Sequence, residues 1–257
     1  MCIEMKNDLL TIGSVTIHGY GLMIGIGILC CVFMGMKRAK KRGMSEDAVL
    51  DIAIFSVIGG FIGAKLLFVI VEFKDFLKNP LQLLGSEGFV VYGGIITGVL
   101  VAMLYCKKKK LVFLEYFDLL VPSVALAQGF GRIGCFLAGC CYGRETDSFL
   151  GVVFPEGSIA PAGIKLLPTQ LFSSAGNFLI VIILLLYGRK KRKAGSVGLL
   201  YVLLYSVGRF FIEFLRFDDR GFVGVLSTSQ IISLILLAVL AVVFIIRRKQ
   251  NGNGAAV

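Results

Sequence analysis

Gly129-Phe-Gly-Arg-Ile-Gly-Cys-Phe-Leu-Ala-Gly-Cys-Cys-Tyr-Gly-Arg144 closes an apolar run that begins at residue 111. A membrane-crossing helix needs about 20 mainly apolar residues, and the run over 111–127 continuing into this stretch supplies them. Five glycines surround Arg132 here. A guanidinium keeps its charge at any accessible pH, so at membrane depth it costs several kcal/mol unless an anion meets it. Glycines admit close backbone approach and can turn N–H groups toward an anion. Two readings stand side by side: helix-packing glycines with a snorkelling arginine, or a site for a phosphate or carboxylate headgroup. Gly129, Gly131 and Gly134 match G-x-G-x-x-G. That fingerprint requires a preceding strand in a βαβ unit, whereas here it continues a membrane helix.

Working outward, the same apolar character recurs along the chain. Of its 257 residues 57% are hydrophobic, above the proportion of soluble domains, and the excess lies in repeated long runs. The net charge of +11 sits in short clusters between those runs. That placement sets membrane topology and argues against nucleic acid as a partner. Seven cysteines, an odd number lying mostly in apolar segments, do not make a secreted disulfide framework. No cleavable signal peptide is expected, because the first apolar run flows straight into a basic cluster.

The expected fold is an all-α integral membrane protein of seven transmembrane helices. The spans fall at about 17–36, 48–71, 89–106, 111–138, 171–187, 197–215 and 225–246, within one membrane domain over 1–250. A polar loop is expected between the second and third spans, and an irregular segment over 142–168 with Pro155, Pro161 and Pro168. Residues 251–257 read as a disordered tail. Basic clusters of five, four, five and three residues follow spans one, three, five and seven, which is seventeen of the 27 Lys and Arg. By the positive-inside rule these clusters are cytoplasmic, so the N-terminus is expected outside and the C-terminus inside.

Topology gives each unusual polar residue a depth. Arg132 falls near the outer end of span four. Tyr205, Arg209 and Glu213 follow at i, i+4 and i+8 along span six, with Arg216 close to the same stripe. Tyr20 and His18 open span one, and Tyr92 opens span three ahead of Gly93-Gly94. All belong to the extracytoplasmic half. An Arg209–Glu213 pair inside a membrane either fixes packing or serves function, and two arginines on one leaflet can neutralise a phosphodiester. Lys65 reads as snorkelling or paired, while Glu115 and Asp118 interrupt the inner part of span four. Cys135, Cys140 and Cys141 lack the C-x₂-C zinc spacing, and His18, the chain's one histidine, lies on another span. They read as small packing residues in preference to a nucleophilic or redox group, and no metal site is expected.

Together these residues resemble a known family. The stretch from Gly131 to Arg144 resembles the signature of bacterial prolipoprotein diacylglyceryl transferases. Tyr20-Gly21-Leu22, Tyr92-Gly93-Gly94, Pro168-Thr-Gln-Leu-Phe172, Tyr205 with Arg209-Phe-Phe-Ile-Glu-Phe-Leu-Arg216, and Leu226-Ser-Thr-Ser-Gln230 resemble its other motifs. The resemblance implies a seven-span enzyme of the bacterial cytoplasmic membrane. Such an enzyme moves the diacylglyceryl group of phosphatidylglycerol onto the lipobox cysteine of a prolipoprotein and releases glycerol phosphate. It implies that Arg132 and Arg209 hold the headgroup phosphate, with Gly143 and Cys135 on the substrate side. Tyr20, Tyr92, Tyr205, Arg209 and Glu213 fall at the catalytic positions. Where the family usually has histidine, asparagine and glutamate, this chain has Tyr92, Cys135 and Cys140.

The chemistry requires an ionised thiol and compensation of a departing phosphate, and paired arginines meet the second need without a cofactor. Two other readings remain open at this stage: a divergent paralogue with another acceptor, and a lipid-binding or transport membrane protein. The second lacks the internal repeat common in transporters.

Overall fold

The structure, a computed structural model, describes residues 8–12, 15–86, 88–217, 222–223 and 226–253. In chain order the elements are β1 (Asp8–Ile12), β2 (Val15–His18), α1 (Gly19–Lys41), α2 (Glu46–Val71), α3 (Phe73–Lys78), α4 (Pro80–Gly85), α5 (Val91–Lys108) and α6 (Phe113–Leu137). Then come β3 (Val152–Val153), β4 (Lys165–Leu166), α7 (Thr169–Tyr187), α8 (Ser196–Ile212) with a 3₁₀ turn at Glu213–Leu215, β5 (Phe222–Val223), β6 (Leu226–Ser227) and α9 (Thr228–Asn253). Among the described residues seven helices are long and apolar enough to cross a membrane: α1, α2, α5, α6, α7, α8 with its 3₁₀ turn, and α9. This is a mostly helical, multi-pass membrane protein.

The departures from expectation have local causes. The fold is not purely helical: β1–β2, β3–β4 and β5–β6 are short antiparallel pairs. Residues 17–18 belong to β2, and α1 runs on to Lys41 because basic side chains suit a helix C-terminus. The polar loop after span two holds the short helices α3 and α4. Helix α9 reaches Asn253, into the segment expected to be a disordered tail, and residues 254–257 lie outside the described residues.

Contacts group the chain into two compact units, Met1–Cys31 with Leu120–Val257, and Val32–Leu119. In the second unit α2 and α5 pack along a seam of glycines. A methyl group on Gly93 would land on the Gly63 carbonyl oxygen, and one on Gly94 would stand 3.0 Å from Gly60 O. Only glycine permits that approach. Ser45 caps α2 by accepting from Ala48 N at 3.1 Å. Lys65 is paired: its Nζ donates to Ser86 O at 2.6 Å and lies 5.1 Å from the ring centroids of Phe68 and Phe89. Tyr105 donates to Asp51 at 2.6 Å, and buried Asp118 lies within electrostatic reach of Arg38.

In the first unit α7 packs against α8, and α8 against α9. Helix α7 carries a buried polar stripe of Thr169, Gln170, Ser174 and Asn177. The segment after α6, expected to be irregular, is packed: Phe136, Val152, Phe154, Ala160 and Leu166 form its core, with Tyr142 and Leu171 against it. This packing supports the end of α6 where Arg132 sits.

Candidate functional site

Helix α6 ends in a Schellman turn. Gly139, at φ +69°, donates to Phe136 O at 3.1 Å, and Cys140 N donates to Cys135 O at 3.1 Å. One turn earlier, Arg132 lies within electrostatic reach of Tyr205 of α8. Gly134 lets the start of α1 close in, since a Cβ there would meet Tyr20 O and Met23 Cβ at 3.2 Å. Tyr20, 43% exposed, thereby comes within electrostatic reach of Arg132, Cys135, Cys140 and Cys141.

On α8, Arg209 Nη2 pairs with Glu213 Oε2 at 3.1 Å, with little of either side chain exposed. Glu213 stands just past the α-helix, in the 3₁₀ turn, and still reaches Arg209. The same Nη2 donates to Ser229 Oγ at 2.9 Å. Ser229 is held in place by a capping box at the start of α9. Gln230 N donates to Ser227 Oγ at 3.2 Å, and Ser227 N donates to Gln230 Oε1 at 3.0 Å. Arg209 Nη1 is buried with no hydrogen-bond partner.

A cavity of about 140 Å³ opens among α6, α7 and α8. Arg132, Tyr205 and Arg209 line it, together with Asn177. Asn177 Nδ2 donates to Ser173 O at 3.0 Å, which fixes the amide orientation and leaves Oδ1 buried without a partner. The cavity therefore offers two guanidinium groups, an unused N–H and an unused amide acceptor. That inventory suits a phosphate ester bearing a hydroxyl.

Beside Arg132, the Schellman turn folds Cys140 back over Cys135, and Cys141 follows at φ +62°. The sulfur atoms of Cys135, Cys140 and Cys141 lie within 4.8 Å of one another. The turn is pinned by Gln170 Nε2 donating to Cys140 O at 2.7 Å and Thr169 Oγ1 to Cys141 O at 2.8 Å. Hydrogen bonds from the Cys135 and Cys140 thiols hold the Cys141 thiol well below its ordinary pKa, helped by Arg216 and Arg132. The same sharing pushes Cys140 up. Gly143 admits no side chain: a Cβ would meet Thr169 Cγ2 at 2.7 Å and Leu167 O at 2.8 Å. Its N–H donates to Leu167 O at 2.9 Å, and it bridges Arg216.

Of the residues singled out in the sequence, the first unit gathers Arg132, Tyr205 and Arg209 around one cavity. Glu213 reaches it through Arg209, and Tyr20 and Cys135 lie beside Arg132. Tyr92 is the second residue of α5, in the other unit, and is 41% exposed. His18 ends β2 and is exposed. Asn177 escaped the sequence reading, while Gln170 and Ser229 lay inside motifs quoted there without a role of their own. For Asn177 the available signal was a lone asparagine inside an apolar run.

Comparison with known proteins bears on this arrangement. The family profile of prolipoprotein diacylglyceryl transferases matches residues 7–246. A phosphatidylglycerol–prolipoprotein diacylglyceryl transferase of Clostridium tetani is 52% identical over 246 residues, covering 95% of this chain and 98% of the relative. One of Clostridium perfringens, numbered 2, is 50% identical over 223 residues, covering 86% and 87%. One of Clostridioides difficile is 34% identical over 245 residues, covering 94% and 96%. The chain belongs to the prolipoprotein diacylglyceryl transferase family.

Proposed function

We propose that this transferase moves the diacylglyceryl group of phosphatidylglycerol to the lipobox cysteine of a prolipoprotein and releases glycerol phosphate. The observation that carries the reading is the cavity shared by Arg132, Tyr205, Arg209 and Asn177. The unpartnered Arg209 Nη1 and the Arg132 fork take the phosphate oxygens, and Asn177 Oδ1 accepts from a hydroxyl of the glycerol headgroup. A buried donor without a partner costs about 1–3 kcal/mol, which a bound phosphate offsets.

In the reaction the acceptor sulfur attacks the diacylglyceryl carbon that bears the phosphate. The C–S bond forms, the C–O bond breaks, and the electron pair leaves on the phosphate oxygen. Arg132 and Arg209 meet that developing charge in a site poor in water. Glu213 and Ser229 aim Arg209, and Tyr205 stands with Arg132 on the cavity wall. The motif resemblance supports assigning Tyr20 and Tyr92 to the catalytic set and Gly143 and Cys135 to the substrate side. The distribution of basic clusters supports an outside N-terminus, a cytoplasmic C-terminus and a site in the outer half of the bacterial cytoplasmic membrane.

The test incubates the purified protein with phosphatidylglycerol vesicles and a lipobox peptide. A diacylglyceryl mass added to the cysteine, with glycerol phosphate released in equal amount, is expected. A peptide left unmodified under conditions where the protein is folded overturns the reading.

A further inference from the structure

None of the three clustered cysteines lines the headgroup cavity, and Cys140 and Cys141 have no role in the site described above. The three sulfurs already lie within 4.8 Å of one another. Three thiolates bound to one tetrahedral zinc at about 2.3 Å stand roughly 3.8 Å apart, so the sulfurs need to draw together by about 1 Å at most. The Schellman turn stacks Cys140 on Cys135, while Gln170 and Thr169 hold the carbonyls of Cys140 and Cys141, as outer partners hold metal ligands elsewhere. Among the described residues the group numbers these three and no more. Structural zinc sites close with four protein ligands, whereas catalytic ones keep a position open, and three soft sulfurs select zinc or copper(I). Each cysteine is partly exposed, so a metal and a further ligand can reach it. Arg132 and Arg216, both within electrostatic reach of Cys141, offset the negative charge of three thiolates around a dication.

We propose that Cys135, Cys140 and Cys141 bind one zinc ion as three thiolates, and that the open fourth position takes the acceptor thiol. The identity of that fourth ligand rests on the transfer reaction proposed above, but the metal site does not. The acceptor thiol displaces zinc-bound water, and its proton passes to solvent. A coordinated thiol is deprotonated outright, so no separate base is needed. Cys135 lies three residues beyond Arg132, a rise of about 4.5 Å along α6. The zinc-held sulfur therefore stands next to the arginine that holds the departing phosphate. Once alkylated, the sulfur is a neutral thioether, a weak ligand for zinc, and it dissociates.

The experiment uses the full chain in detergent or nanodiscs. Metal analysis of protein purified under reducing conditions is expected to give one zinc per chain. Cobalt(II) reconstitution is expected to give thiolate-to-metal charge-transfer bands and tetrahedral ligand-field bands. Cys135→Ser, Cys140→Ser and Cys141→Ser, each checked for unchanged thermal unfolding, are expected to lose most of the zinc. Adding a lipobox peptide is expected to shift the cobalt spectrum, and the same peptide with serine for cysteine is not. Absence of stoichiometric metal in protein with three reduced thiols overturns the site, as does a disulfide between two of them in freshly isolated protein. Metal bound by all three cysteines but blind to the peptide, in protein that transfers lipid normally, overturns the acceptor role alone. Metal bound with no lipid ever transferred overturns the proposed reaction and leaves the metal site standing.

Discussion

Arg209 Nη2 is held from two sides, by Glu213 Oε2 at 3.1 Å and Ser229 Oγ at 2.9 Å, while Nη1 is buried without a partner. One half of the fork is anchored and the other is left for a ligand. Arg209→Ala and Arg132→Ala are each expected to lower kcat/KM by at least about 100-fold with insertion unchanged. Arg209→Lys is expected to rescue poorly, because an ammonium cannot reach Glu213, Ser229 and a phosphate as a fork does. Ser229→Ala removes a hydrogen bond to a charged group and is expected to cost about tenfold. Steady-state transfer assays check all four, and normal turnover by either alanine variant of the arginines sinks the clamp.

Asn177 should set headgroup preference. Asn177 lines the cavity, with Nδ2 donating to Ser173 O and Oδ1 buried as an acceptor without a partner. Asn177→Leu keeps the volume and removes the acceptor. The expected result is a loss of about tenfold or more in preference for phosphatidylglycerol over phosphatidic acid, which lacks the glycerol hydroxyls. Competition between the two lipids reads this out directly, and an unchanged ratio assigns the hydroxyl contact elsewhere.

Much of the helical architecture was legible because apolar runs and basic clusters are local signals. The Arg209–Glu213 pair was legible too, since four residues make one helical turn. Other parts are encoded by long-range contacts that no spacing rule captures. The core of Phe136, Phe154 and Leu166 joins residues far apart in sequence, so the segment over 142–168 read as irregular. The cysteine cluster depends on a chain reversal at Gly139 and a left-handed residue at Cys141. Read as spacing, Cys135-x₄-Cys140-Cys141 matches no metal motif. Lys65 looked anomalous for a related reason: its acceptors, Ser86 and Gly88, lie more than 20 residues downstream.

Gly143 tests whether the turn after α6 tolerates any side chain. Gly143→Ala places a methyl group 2.7 Å from Thr169 Cγ2 and 2.8 Å from Leu167 O, both in ordered surroundings. Overpacking of this kind costs typically 1–3 kcal/mol. The variant is expected to unfold at lower temperature and to lose transfer activity. Thermal unfolding in detergent is the measurement, and an unaltered transition contradicts the packing.

Topology is checked by labelling. A cysteine introduced in the 151–164 segment, in a background where native thiols are blocked, is expected to react with an impermeant maleimide from outside the cell. One introduced beside Lys191 is expected to react only after the membrane is opened. The reverse pattern overturns the orientation and with it the outer-leaflet site.

The last prediction concerns the proton of the acceptor thiol. Tyr92 offers only a phenol oxygen, and a neutral phenol is too weakly basic to be an efficient general base. His18 is the chain's one imidazole; it is exposed at the end of β2 and does not line the cavity. If zinc holds the incoming sulfur as a thiolate, neither side chain governs ionisation. His18→Gln is then expected to leave both the rate and the pH profile of transfer unchanged. Tyr92→Phe should lower the rate without moving that profile, because a lost hydrogen bond is not a lost titration. Stripping zinc with a chelator should move the rising limb toward the free thiol's pKa, near 8.5, with restoration on adding zinc back. A pKa near 6.5 that vanishes in His18→Gln would instead make the imidazole the base and remove the need for a metal-held thiolate.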